Sequence, residues 1–248
     1  MSLIVAWLRA PLDDYLRALE STVPAAGWRG LFLALAAAAL SWWIYVPIHE
    51  LLHAFGCLVA GGRVSRLEID AVYGAGYLQK LLPFVAVGSD YAGQLTGFDT
   101  GGSDLTYLAT DFAPFVVTIL VGVPGLRSAA SLRAPIWRAM ALGAAVPIAY
   151  APFISLPGDY YEMGSIIVSR VAAIFGHTAL ERWRSDDVFR LLETLASDDG
   201  TARDWAGIGA AILVGCALAW ATYGAGILWS STLQATLGRK SNGSGSAG

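Results

Sequence analysis

The chain has 248 residues, of which 56% are hydrophobic and only 14% charged, with nine tryptophans. Such a composition excludes an ordinary soluble domain and points to a polytopic membrane protein, since several stretches reach the roughly 20 apolar residues that cross a bilayer. The net charge of -3 argues against a nucleic-acid partner, and two cysteines in apolar stretches, Cys57 and Cys216, build no disulfide framework.

Met1 to Leu8 has neither the length nor the basic leader of a cleavable signal peptide. Residues 1–29 place Leu3, Ile4, Trp7, Leu8, Leu12, Leu16 and Leu19 at helical spacing with charges between them, which predicts an amphipathic surface helix. A breaker stretch, Ser21 to Gly27, follows. The first span is expected over residues 30–60, with Pro47 kinking it or starting a second helical piece.

Just past Pro47 stands His49-Glu50-Leu51-Leu52-His53. On a helix this spacing stacks two imidazoles one turn apart on one face, where both can bind a single zinc ion. Glu50 beside them is placed to act as general base on a metal-activated water. The chain has only three histidines, so the motif would arise by chance in roughly one such chain in a thousand.

Residues 61–104 differ in kind. Leu67, Ile69, Ala71 and Tyr73 alternate with Arg66, Glu68, Asp70 and Val72, a strand period. Tyr77 to Val87 is expected to return as a second strand or to dip into the membrane, giving a small membrane-associated β-hairpin region. Gly97 to Asp104 reads as a solvated loop. Further spans are expected over 105–126 and 136–157, a charged amphipathic segment over 181–204, a fourth span over 205–237, and a disordered or linker-like tail over 238–248. The fold class is therefore an all-α, multi-pass membrane protein of about four transmembrane helices with a small β-region after the first, its metal core lying in residues 30–180.

A catalytic zinc takes three protein ligands and keeps one position open. The third histidine, His177, is better explained by a hydrogen bond to a neighbour than by ligation. Three carboxylates lie at membrane depth: Asp111, Asp159 and Glu162. Asp159 follows Pro157-Gly158, a break that lets a side chain turn inward, and so stands first. Glu162 and Asp111 are the alternative ligands, and helix capping is the structural use open to Asp159.

Read together, the motif in the first span, the strand-like stretch from Gly62 to Tyr73, Ala113-Pro114 in the second span and Asp159 at the end of the third resemble the site-2 protease family of intramembrane zinc metalloproteases. The resemblance covers about residues 30–175. It implies one Zn2+ per chain on His49, His53 and Asp159, Glu50 as catalytic base, and hydrolysis of a transmembrane or membrane-adjacent protein segment. It also implies a multi-pass protein of a prokaryotic-type inner or plasma membrane. The chain departs from the family in two places. Tyr160 follows Asp159 where glycine is usual, and the only asparagine is Asn242, so the family's upstream asparagine has no counterpart. These departures support an alternative, a non-cutting relative that binds metal or a partner.

Overall fold

The structure is a computed structural model that describes residues 2–176, 182–197 and 200–243, with the backbone alone for Leu3 and residues 237–243. It is mostly helical with one small three-stranded sheet. In chain order the elements are α1 (Leu3–Val59), β1 (Arg63–Ile69), α2 (Ala75–Leu81), β2 (Val85–Val87), β3 (Gly93–Asp99), α3 (Asp104–Phe112) and α4 (Phe115–Val117). A π-helical turn (Thr118–Gly122), α5 (Val123–Ala129), α6 (Pro135–Ala149), α7 (Ala151–Ile154), α8 (Asp159–Ile174), α9 (Val188–Ser197) and α10 (Ala202–Gly243) follow among the described residues.

Among the described residues, two helices are long and apolar enough to cross a membrane, Ile4–Val59 and Ala202–Thr236. A third span results if the bent pair Asp104–Phe112 and Phe115–Ala129, broken at Ala113-Pro114, counts as one. The stretch expected as a span over 136–157 comprises α6, an apolar helix of 15 residues, and the four-residue α7. Pro147, the non-helical Tyr150 between them and Pro152 interrupt the ladder there. Within α1 the only non-helical residue is Gly27 (φ 60°), so the helix runs on through Pro47. A left-handed φ favours glycine, which is why the expected breaker stretch breaks there and not at Pro24.

By its internal contacts the chain divides into two compact units. One comprises Met1–Trp42, Val117–Tyr150 and Ala221–Gly248, the other Trp43–Val116 and Ala151–Trp220. In the first, Leu12 and Leu16 of α1 are exposed whereas Asp14 is buried, the reverse of a water-facing amphipathic helix. Asp14 accepts from Arg127 Nη1 at 2.9 and 2.7 Å and from the Tyr223 hydroxyl at 3.3 Å. A charge so buried persists because it is paired. Gly143 of α6 lies where a Cβ would be 2.0 Å from the Ala34 carbonyl oxygen, so the α1 and α6 backbones touch.

The second unit carries the sheet, in the order β2-β1-β3. β1 pairs parallel with β2 (Leu67↔Val85) and antiparallel with β3 (Ile69↔Gly93), so the region is a sheet centred on β1 rather than the expected hairpin. A parallel return needs a crossover, here a 3-10 turn (Ala71–Tyr73) and α2, which occupy the residues expected to continue the strand and begin its return. Asp70 ends β1 by accepting from Val72 N. Leu67 and Ile69 are fully buried against Ala54 and Leu51 of α1, which fixes the motif-bearing turn of α1 on the sheet. In the same unit, Val188 and Leu195 of α9 pack with Tyr161 of α8 and Ile208 and Ala211 of α10. The apolar stripe expected in 181–204 is thus spent on the core. The end of the tail, residues 244–248, lies outside the described residues.

Candidate metal centre

His49 and His53 sit one turn apart on α1 with ring centroids 4.8 Å apart. Asp159, the first residue of α8, meets both: His49 Nε2 lies 3.4 Å from its Oδ2 and His53 Nε2 3.6 Å from its Oδ1. The N-cap of α8 is Gly158, with no side-chain cap, so Asp159 is not used as a cap and is free to face the imidazoles. One ligand atom from each of the three residues lies within 4.8 Å of the others, a group that can hold a metal ion. Tetrahedral ligands about 2.1 Å from one ion stand about 3.4 Å apart, close to the two nitrogen–oxygen separations found. Of the other carboxylates, Glu162 and Asp111 line the same cavity but are not part of this group. His177 lies outside the described residues.

The outward ring nitrogens are also engaged. His53 Nδ1 is 2.9 Å from the Thr110 carbonyl oxygen, an acceptor only, so this nitrogen is the donor, and Nε2 is the one that faces Asp159 and would be offered to a metal. His49 Nδ1 is 3.3 Å from the Tyr45 hydroxyl, which in turn donates to the Pro114 carbonyl at 3.4 Å. The first of these contacts traces to the break in the second expected span. In an unbroken helix the Thr110 carbonyl would accept from the N–H of residue 114, but proline has none. Pro114 thereby releases the acceptor that sets the His53 tautomer. Sequence reasoning singled out Pro114 but missed Thr110 and Tyr45. A residue four positions before a span proline was the readable signal.

Glu50 points beside the pair and is held close to β3. A Cβ on Gly93 would fall 2.4 Å from Glu50 Cγ and 2.8 Å from its Cδ, so only glycine leaves room for the carboxylate here. Gly93, Gln94 and Leu95 of β3 together with Pro157, Gly158 and Phe189 help enclose a cavity of about 470 Å3 onto which His49, Glu50, His53 and Asp159 open. At its rim the Tyr91 hydroxyl donates to Asp187 at 3.1 Å and Gln94 Nε2 to Asp186 at 3.4 Å. The hydrogen bond to the Asp187 carboxylate, and then its charge, raise the Tyr91 phenol above its usual pKa.

The fold and site together define a class: a mostly helical chain with helices able to cross a membrane and a His-His-Asp group able to hold a metal ion. Comparison with models of protein families, with curated proteins and with solved structures finds no match to this chain.

Proposed function

We propose that the chain is a zinc-dependent intramembrane endopeptidase, a compact relative of the site-2 proteases. The observation that carries this reading is the convergence of His49, His53 and Asp159 with an acid, Glu50, directly beside them. A pure binding site has no use for that carboxylate. Two imidazoles with their tautomers set from behind, plus one carboxylate, are a donor set typical of catalytic zinc. In this reading the later half of α1, the bent pair 104–129, α6 with α7, and α10 cross the bilayer, giving a multi-pass protein.

A zinc ion, when bound, supplies a Lewis acid that polarises the scissile carbonyl and brings the acidity of water toward neutral pH. Glu50 accepts the proton of the attacking water and returns it to the leaving amine. The substrate must be extended at the cleavage point, because a helical peptide bond is shielded by its own ladder. Of the strands, β1 has both edges paired, whereas β3 keeps an outer edge with no strand partner among the described residues, where an extended substrate could pair. An extended segment pairing there would run past Gly93 and Glu50.

Metal content and cleavage test the reading in one set of purified proteins. About one zinc per chain is expected in wild type, Glu50→Gln and Glu162→Ala, with loss in His53→Ala and Asp159→Ala. Cleavage of a membrane-segment substrate should vanish in Glu50→Gln. Retained cleavage there would refute the role of Glu50, and folded wild type without metal would favour a non-cutting relative.

A further inference from the structure

The cavity over the metal group is acidic beyond what its chemistry needs. Six carboxylates line it, Glu50, Asp111, Asp159, Glu162, Asp186 and Asp187, and no lysine or arginine does among the described residues. Glu50 and Asp159 serve the reaction proposed above. Asp187 is engaged by Tyr91 and by the Phe189 and Arg190 backbone N–H groups at the start of α9, and Asp186 by Gln94.

Asp111 and Glu162 remain. Asp111 is 4% exposed, and its Oδ2 has no hydrogen-bond partner among the described residues. A buried carboxylate oxygen left without a donor costs free energy in any protein, and more so in a chain with so few charges. Glu162 lies one turn into α8 from Asp159 and accepts a hydrogen bond from Tyr107. Arg184 lines a neighbouring cavity of about 210 Å3 and is already bonded to Asp104 at 3.2 Å. Among the described residues the main cavity therefore has no lysine or arginine to answer its carboxylates, and none of its lining donors reaches Asp111 Oδ2.

We propose that Asp111 and Glu162 form a recognition subsite for a basic side chain of the substrate, a lysine or arginine close to the scissile bond; the proposal rests on the peptidase reading above. The donor Oδ2 lacks is what an ammonium or guanidinium supplies. Phe98 and Ile154 on the cavity wall offer apolar surface for the stem of such a side chain while its head reaches the acids. The substrate class that fits is a membrane-spanning segment with basic residues at its flank, where such segments commonly carry them.

Binding, measured apart from cleavage, tests this. Zinc-loaded full-length Glu50→Gln protein in detergent is titrated with fluorescent twelve-residue peptides of Ala, Leu and Ser carrying one lysine, or one norleucine, at each position in turn. At one position lysine should bind roughly tenfold tighter than norleucine. Adding Asp111→Asn or Glu162→Gln, both isosteric, should bring that ratio close to one while leaving the norleucine peptide's affinity unchanged. A ratio that survives both substitutions, or no position that discriminates, overturns the subsite. Two zinc ions per wild-type chain falling to one in Asp111→Asn would assign the pair to a second ion and also overturn it. A lysine preference in binding without cleavage by wild type would sink the peptidase and leave the subsite standing; cleavage without the preference would do the reverse.

Discussion

Gly93→Ala is the sharpest perturbation of the proposed catalytic geometry, because it replaces no proposed ligand and no ionisable group. The added Cβ would lie 2.4 Å from Glu50 Cγ and 2.8 Å from Cδ, where non-bonded carbons settle at about 3.5–4.0 Å. Glu50 must therefore retreat by about 1 Å, since Gly93 is tied into the β1–β3 ladder opposite Ile69. A displacement of that size at a catalytic group costs about a hundredfold in rate, equivalent to about 2.7 kcal/mol of transition-state stabilisation. Cleavage by the purified variant should fall by that factor in kcat with little change in KM, while zinc per chain and Tm stay near wild type. Full activity in Gly93→Ala, with Glu50→Gln inactive, would refute the claim that β3 positions the base. Loss of zinc in Gly93→Ala would show that the strand supports the ligands instead.

Two further substitutions probe the support behind His53. Pro114→Ala restores the N–H that an unbroken helix would direct to the Thr110 carbonyl, in competition with His53 Nδ1, so zinc affinity should drop about 10–100-fold with no loss of Tm; unchanged affinity in a chelator competition would sink the link between the proline and the ligand. Gly56→Ala would put a Cβ 2.6 Å from the Ala109 carbonyl oxygen and 3.2 Å from Thr110 Cα, forcing α1 and α3 apart at a cost of about 1–3 kcal/mol; Tm and zinc affinity should fall together, and a fall in Tm alone would contradict it.

What the sequence made legible follows from how local each feature is. His49, Glu50 and His53 were readable because four residues is one turn, and a single helix decides their geometry. Asp159 was readable because Pro157-Gly158 stops one helix and lets the next begin there. The alternation around Leu67 and Ile69 was readable because burial of one sheet face imposes a period of two. The strand over Gly93–Asp99 was not legible, since Gly-Gln-Leu-Thr-Gly-Phe-Asp has two glycines and weak strand propensity, and pairing with β1 decides it. Yet Gly97 held a clue. A Cβ there would meet Arg66 N at 2.8 Å, where the β1–β3 register is irregular, and a glycine inside a strand commonly marks such a point.

The proposed ligands come from α1 and α8, and the group orienting His53 comes from α3, segments that no short connection joins. Small residues bring their backbones together. Gly56 of α1 rests on Ala109 and Thr110 of α3; Gly164 of α8 faces the Ala211 carbonyl of α10, and Gly215 of α10 faces the carbonyl of Tyr160, the residue after Asp159. In a bilayer, where burying apolar surface against lipid gains little, such close approaches are the main source of helix-to-helix precision. They also explain how a motif that specifies only two imidazoles and an acid meets the proposed third ligand, whose carboxylate oxygens stand 3.4 and 3.6 Å from the imidazole nitrogens. The position of Asp159 is set by backbone contacts one residue away, so a methyl group added at Gly215 would be felt at the metal group before it was felt anywhere else in the site.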